Sequence, residues 1–205
     1  MINYIVLYLY LFSNSLLQTI LNKRIKGLIF IAFIAIVFVL TIRGSHGVDT
    51  EIYLTFFNDI GKRVKGYDGL DLGFLYISTL IKKIYNNEIF FLFCIAFISV
   101  SLKLKAAHKL SPLPLVTAFV LFGTYFLSLE ANQIRQAMAL GIGLFSLHYV
   151  IERKKTSFFI CIILAATFHV SVIIFLPVWW LYDLKIKRTT LLAILGISFL
   201  FVFIS

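Results

Sequence analysis

KRIKGLIFIAFIAIVFVLTIR, running from Lys23 to Arg43, decides the fold. Basic residues open the stretch, residues 27–42 carry no charge, and Arg43 closes it. A helix needs about 20 residues at about 1.5 Å each to cross the hydrocarbon layer, so this run spans by borrowing its flanks. Comparable apolar runs lie at 1–21, 88–102, 112–129, 133–151, 158–182 and 189–205. The expected fold class is therefore all-α: a polytopic transmembrane helix bundle of six or seven membrane segments.

Composition agrees. Of 205 residues, 61% are hydrophobic and 14% charged, against roughly 45–50% and roughly 25% in a soluble domain. A net charge of +10 would point to nucleic acid in a soluble chain. Here the basic residues fall in short clusters between apolar runs, which makes them topology signals and excludes a nucleic-acid partner. Cys94 and Cys161 both sit inside apolar runs and read as packing residues, with no disulfide framework or C-x-x-C pair. The apolar N-terminal run lacks a basic n-region and an A-x-A-like cleavage site, so it is expected to remain in the mature protein.

Orientation follows from Lys and Arg. Clusters at Lys23, Arg24 and Lys26, at Lys103, Lys105 and Lys109, at Arg153 to Lys155, and at Lys185, Lys187 and Arg188 are all assigned to the cytoplasmic side. Residues 43–71 carry Arg43, Lys62, Arg63 and Lys65 against Asp49, Glu51, Asp59, Asp68 and Asp71, so this long loop is placed outside. The N-terminus then starts outside, as does the short turn at 130–136. Residues 158–182 join two clusters that both belong in the cytoplasm. A re-entrant hairpin breaking near His169 and Ser171, with Ser171 capping a second half-helix, resolves the conflict. A straight, tilted helix is the alternative.

Within the 43–87 extracytoplasmic loop, Asp49 can cap a helix running to Gly61, and 72–85 reads as an interfacial helix too short to span. The chain reads as one integral membrane domain over 1–205. Its last run ends at Ser205 without a charged anchor, as in a larger or truncated membrane protein.

Polar groups at membrane depth are functional candidates. At helical spacing Asn132, Arg135, Gln136, Ala139 and Gly143 share one face, polar at the outer mouth and small below. That face suits a wet pocket, or else a snorkelling Arg135 above a small-residue packing stripe. Arg43 and Arg135 together suit a diphosphate, because guanidinium stays charged and binds phosphate oxygens bidentately. Asp49 and Tyr53, one turn apart, can face the same space, although Asp49 can equally serve as an N-cap. His169, at the expected hairpin tip, is either a proton carrier or a structural residue. His108 and His148 read as structural, and no histidine pair has metal-ligand spacing, so neither metal nor cofactor is expected. Gly141 and Gly143 lie inside an apolar helix and form no nucleotide loop.

RGSHGVDTEIY (43–53), DLGFLYISTLI (71–81), NQIRQAMA (132–139) and FHVSVIIFLP (168–177) resemble, in order and spacing, the EpsG/Wzy-like oligosaccharide polymerases. The resemblance implies an architecture like that of C-type glycosyltransferases. It implies polymerisation of undecaprenyl-diphosphate-linked repeat units for exopolysaccharide, capsule or O-antigen, on the outer face of the bacterial plasma membrane. Lipids and other polysaccharide-assembly proteins are the implied partners. Arg43 and Asp49 match the first motif, Asn132, Arg135 and Gln136 the N-x-x-R-Q, and His169 and Ser171 the H-x-S. Asp71 stands where the family commonly has Glu, and the chain stops short of a usual member.

On this reading Arg135 and Arg43 hold the diphosphate, and Asn132, Gln136 and Tyr53 meet sugar hydroxyls. Asp49 or His169 is the general base, and His169 is favoured because a carboxylate held beside arginines is a poorer base. A flippase or transporter for lipid-linked sugars, and an inactive component of the same machinery, are the rival readings.

Overall fold

The computed structural model describes residues 2–43, 49–62, 71–125 and 129–185, and among them every regular element is helical. The order is α1 (Ile2–Leu21), α2 (Lys26–Thr41), α3 (Thr50–Asp59), α4 (Leu72–Ile84), α5 (Glu88–Leu110), α6 (Pro114–Tyr125), α7 (Ile134–Ile151) and α8 (Lys155–Ala166). A 3-10 helix at Val170–Phe175 and a short α9 (Val178–Leu181) follow. By length and composition α1, α5 and α7 can cross a membrane, while α2, α6 and α8 are shorter apolar helices. The run at 189–205, with Lys187 and Arg188, lies outside the described residues.

α5 is the central element. Asn87 caps it by accepting from the Phe90 amide, and Glu88 places a negative charge at its N-terminal dipole. One core, with Leu11, Ile36, Val100, Leu115 and Phe122 among its residues, packs α1, α2 and α6 against α5. The other joins α3, α4, α7 and α8 to α5 through Phe57, Phe74, Phe91, Met138 and Phe158, and Phe57 stacks on Phe91 at 4.5 Å. Outward faces remain apolar: Ile5, Leu9, Phe30, Ile34, Phe38, Ile160 and Ile163 are all exposed. In water such a surface would aggregate, whereas in lipid it is the ordinary exterior.

Most basic clusters gather at one end of the bundle. Arg24 donates to the carbonyls of His108, Ser111 and Pro112, closing the C-terminal turn of α5. Lys109 lies over the Phe145 ring, near the end of α7.

The segment at 158–182 is not one helix. It breaks at Thr167–His169, and Arg153 pairs with Asp183 through both guanidinium nitrogens. Residues flanking the two arms are thus in contact, and Trp179 stacks on Phe158 as the return arm packs back on α8. The chain enters and leaves at the same end, as expected of a hairpin. The half-helix after the break is 3-10, its N-cap residue is His169, and Ser171 is exposed, so the expected Ser171 cap is absent. Gly143 makes room for this arm, since a Cβ there would lie 2.7 Å from Val172 Cγ2.

Two topology expectations are corrected. Lys103 does not belong to a solvated cluster: it is 1% exposed inside α5 and paired with Glu130. The turn at 130–136 is not a surface loop at its start, because Glu130 is 4% exposed and its Oε2 accepts from Ser99, the middle residue of α5. The chain therefore turns inside the bundle at these residues. Lys103 Nζ also donates to Ser99 Oγ at 2.8 Å and to the Ala137 carbonyl at 2.7 Å, so its charge is fully partnered.

Lys82 donates to the carbonyls of Phe57, Asn58 and Ile60 and caps α3. Removing one member of a buried ion pair leaves the other charge unpaired. Glu130→Ala or Lys103→Ala should destabilise the purified protein by about 3–5 kcal/mol, and Lys103→Met with Glu130→Leu should recover most of it. Unfolding in detergent, followed by circular dichroism, checks both.

Candidate active site

The polar pocket forms at the end of the bundle away from Arg24, Lys109 and the hairpin's base. Its volume is about 260 Å³, and it is lined by Asp49, Tyr53, Gln133, Arg135, Gln136 and His169. Three structural devices bring these residues together.

The first is the break between α6 and α7. Irregular backbone at membrane depth must have its carbonyls satisfied. Arg43 Nη1 donates to the Glu130 carbonyl at 2.8 Å, and Thr50 Oγ1 to the Ala131 carbonyl at 3.2 Å. These bonds anchor the end of α2 and the start of α3 to the turn from which α7 begins. Arg135 and Gln136 therefore emerge in the first turn of α7 beside α3.

The second is α3 itself. Asp49 occupies its N-cap position without a side-chain capping bond, while its carbonyl accepts from the Tyr53 amide. The Asp49 carboxylate faces the pocket with Tyr53 one turn on, as the spacing predicts. The Arg135 guanidinium carbon lies 5.9 Å from the centre of the Tyr53 ring, a cation–π arrangement that fixes both.

The third is the meeting of α4 with the hairpin tip. The Gly73 amide donates to the Thr167 carbonyl at 2.8 Å, and a Cβ on Gly73 would fall 2.2 Å from Thr167 Oγ1. Only glycine permits that approach. It carries Asp71, at the N-cap position of α4, to Arg135 and His169: Asp71 Oδ2 accepts from Arg135 Nη1 at 3.2 Å and lies 3.7 Å from His169 Nδ1. Arg135 and Asp71 are both partly exposed, so the pair is wet on its pocket side. Arg135 Nε is buried without a hydrogen-bond partner among the described residues, so the guanidinium keeps donor capacity in reserve.

Of the sequence candidates, Asp49, Tyr53, Arg135, Gln136 and His169 thus converge on one cavity, with Asp71 holding two of them. Arg43 does not line it. It is 4% exposed and held at the Glu130 carbonyl, with Nε and Nη2 lacking hydrogen-bond partners among the described residues. Tyr4, Glu130 and Tyr53 lie within its electrostatic reach, so it sits behind Tyr53. Asn132 is also absent from the lining, its Oδ1 buried without a hydrogen-bond partner among the described residues, and its neighbour Gln133 takes its place. Ser171 is exposed outside the cavity. Ala139 is buried, and Gly143 packs on Val172 and Phe175, so the lower half of the predicted polar-to-small face is a packing surface for the hairpin.

Sequence reasoning missed Gln133, Glu130 and Lys103. The i, i+4 spacing of Ser99 and Lys103 inside an apolar run was the available signal for the last.

A membrane-compatible helical bundle with a charged pocket walled by a hairpin tip defines the class: an integral membrane protein with a polar site at one end. Residues 26–205 match the model of the EpsG family, and the chain belongs to that family, which supports a role in exopolysaccharide biosynthesis. No curated protein and no solved structure matches it.

Gly73→Ala should lower thermal stability by about 1–3 kcal/mol, since the new methyl group displaces the hairpin tip. Gly27→Ala, in the first turn of α2 where a Cβ meets nothing within 4 Å, should cause no loss in the same unfolding assay and a gain of at most about 1 kcal/mol.

Proposed function

We propose that the protein polymerises lipid-linked oligosaccharide repeat units, by glycosyl transfer from a polyprenyl diphosphate at the outer face of the bacterial plasma membrane. The observation that carries this reading is the convergence of Arg135 and His169 on one polar cavity, both held from behind by Asp71 of a third element. The gathering of Arg24, Lys109 and Lys154 at the other end supports an outward-facing pocket, by the positive-inside tendency.

Diphosphate is a good leaving group without help, so the site's tasks are to hold it, to stabilise the departing charge and to accept a proton. Arg135 holds the diphosphate oxygens. An acceptor hydroxyl attacks the anomeric carbon, the bond from that carbon to the diphosphate oxygen breaks, and the hydroxyl proton passes to His169. The imidazole then releases the proton to water. Asp71 faces His169 Nδ1, which orients the ring so that Nε2 is the proton acceptor. Tyr53, Gln133 and Gln136 supply hydrogen bonds to sugar hydroxyls. Asp49 lines the same cavity without a comparable partner among the described residues, and is assigned to a hydrogen bond with the acceptor sugar that an amide in its place can also make. Arg43 acts through Glu130 and Tyr53 as a positioning residue, and the scheme needs no metal.

A carrier for the same lipid-linked sugars would place its site near the membrane midplane. The Lys103–Glu130–Ser99 cluster at the middle of α5 is closed on itself and shares no lining residue with the cavity, which lies toward the end away from the basic clusters; this supports the polymerase.

In cells lacking the gene, Arg135→Ala and His169→Ala should fail to restore long polymer, leaving single repeat units on the outer face. Asp49→Asn should leave chain length unchanged, and Asp71→Asn should lower the rate about 10-fold to 100-fold. Polymer length on gels, with the sidedness of lipid-linked repeat units, reads all four. Repeat units trapped inside would mean a flippase, and long polymer from His169→Ala would remove the base assignment.

A further inference from the structure

At the end of the bundle opposite the polar pocket, α2, α5 and Phe145 of α7 line an open groove of about 560 Å³. Its walls divide by chemistry. Phe30, Phe33 and Phe97 line its apolar part, and Lys26, Lys105 and Lys109 line its basic end. Along α5, Phe97 and Lys109 are separated by about 18 Å at the usual helical rise, which makes the cavity a lengthwise slot rather than a dent. Phe33 and Phe97 meet edge to face at 5.3 Å in its apolar part. Lys109 Nζ lies over the Phe145 ring at 5.4 Å, so this ammonium is held at the slot. Lys26 and Lys105 are exposed and carry no ion pair among the described residues.

We propose that this slot is a binding site for one anionic phospholipid of the leaflet at the basic end of the bundle. The phosphodiester sits among Lys26, Lys105 and Lys109, and one acyl chain lies along Phe30, Phe33 and Phe97. The charge distribution argues for that occupant. Three ammonium groups at one end of an apolar slot match a headgroup that is negative and a tail that is not, whereas a protein helix would have to bring carboxylates to the same three positions. The Lys stems cover the apolar rim while their heads reach the phosphate plane. The site is separate from the polymerase pocket and shares no lining residue with it.

The test uses the full chain, purified in detergent and reconstituted with defined mixtures of phosphatidylglycerol and phosphatidylcholine. Native mass spectrometry counts the retained lipids. The expected result is one phosphatidylglycerol kept through delipidation, with phosphatidylcholine lost. Lys26→Gln, Lys105→Gln and Lys109→Gln together should reduce its retention about tenfold or more. Lys154→Gln, Lys155→Gln and Lys185→Gln, which remove the same charge outside the slot, should not. Ser101→Phe leaves every charge in place and fills the slot, so it should also expel the lipid, and this variant decides the matter if the triple Lys variant does not fold. Equal retention of the two phospholipids, equal loss in both triple variants, or unchanged retention in Ser101→Phe would overturn the proposal. So would displacement of phosphatidylglycerol by an equimolar polyprenyl phosphate, which would assign the slot to the carrier lipid instead.

Discussion

Glu130 serves two neighbours at once: its carboxylate takes the charge of Lys103, and its carbonyl takes a hydrogen bond from Arg43. A helix pair that turns inside the bundle exposes carbonyls with no water to satisfy them, and such a turn exists only where other groups supply the bonds. Arg43, Thr50, Ser99 and Lys103 come from α5 and from the segments at the two ends of the first outer loop's start, and all are spent on residues 130–137. Because the turn is pinned, α7 begins partway down the bundle. Its first residues then face a recess instead of bulk solvent, and the polar pocket is the consequence.

The hairpin supplies the other wall. α8 is too short to cross, and its tip stops level with the start of α7, where Gly73 lets α4 dock on Thr167. A histidine from one direction and an arginine from the other are thereby placed beside Asp71, each by backbone contacts close to the side chain that matters. The wide separation of Asp71, Arg135 and His169 along the chain means that no local element could produce this grouping. It depends on packing among α4, α7 and the 3-10 arm.

Much of the helical layout was legible in the sequence, because apolar runs bounded by charge report directly on the solvent that each segment meets. The hairpin was legible for the same reason: Arg153 and Lys185 cannot both be cytoplasmic if 158–182 crosses. Asp49 with Tyr53, and Arg135 with Gln136, were legible as residues at helical spacing. The role of Arg43 was not, since one guanidinium at a helix end reads alike whether it meets a ligand or a buried carbonyl. Lys103 was grouped with Lys105 and Lys109 by nearness in sequence. A helix turns by 100° per residue, so neighbours in a cluster can face lipid, water and core by turns. Ser171 failed as a cap because the return arm is a 3-10 helix, in which the backbone of the turn at His169 already closes the first bonds.

Substituted-cysteine labelling tests the central claim, that a hairpin from the basic end carries His169 to a pocket open on the other side. With Cys94 and Cys161 replaced by Ala, single Gln133→Cys, His169→Cys and Asp183→Cys variants would be treated with a membrane-impermeant thiol reagent in intact and permeabilised cells. The account predicts labelling at 133 and 169 in intact cells, and at 183 only after permeabilisation. Labelling at 183 from outside would show that residues 158–182 cross the membrane once, and would contradict the assembly of the site.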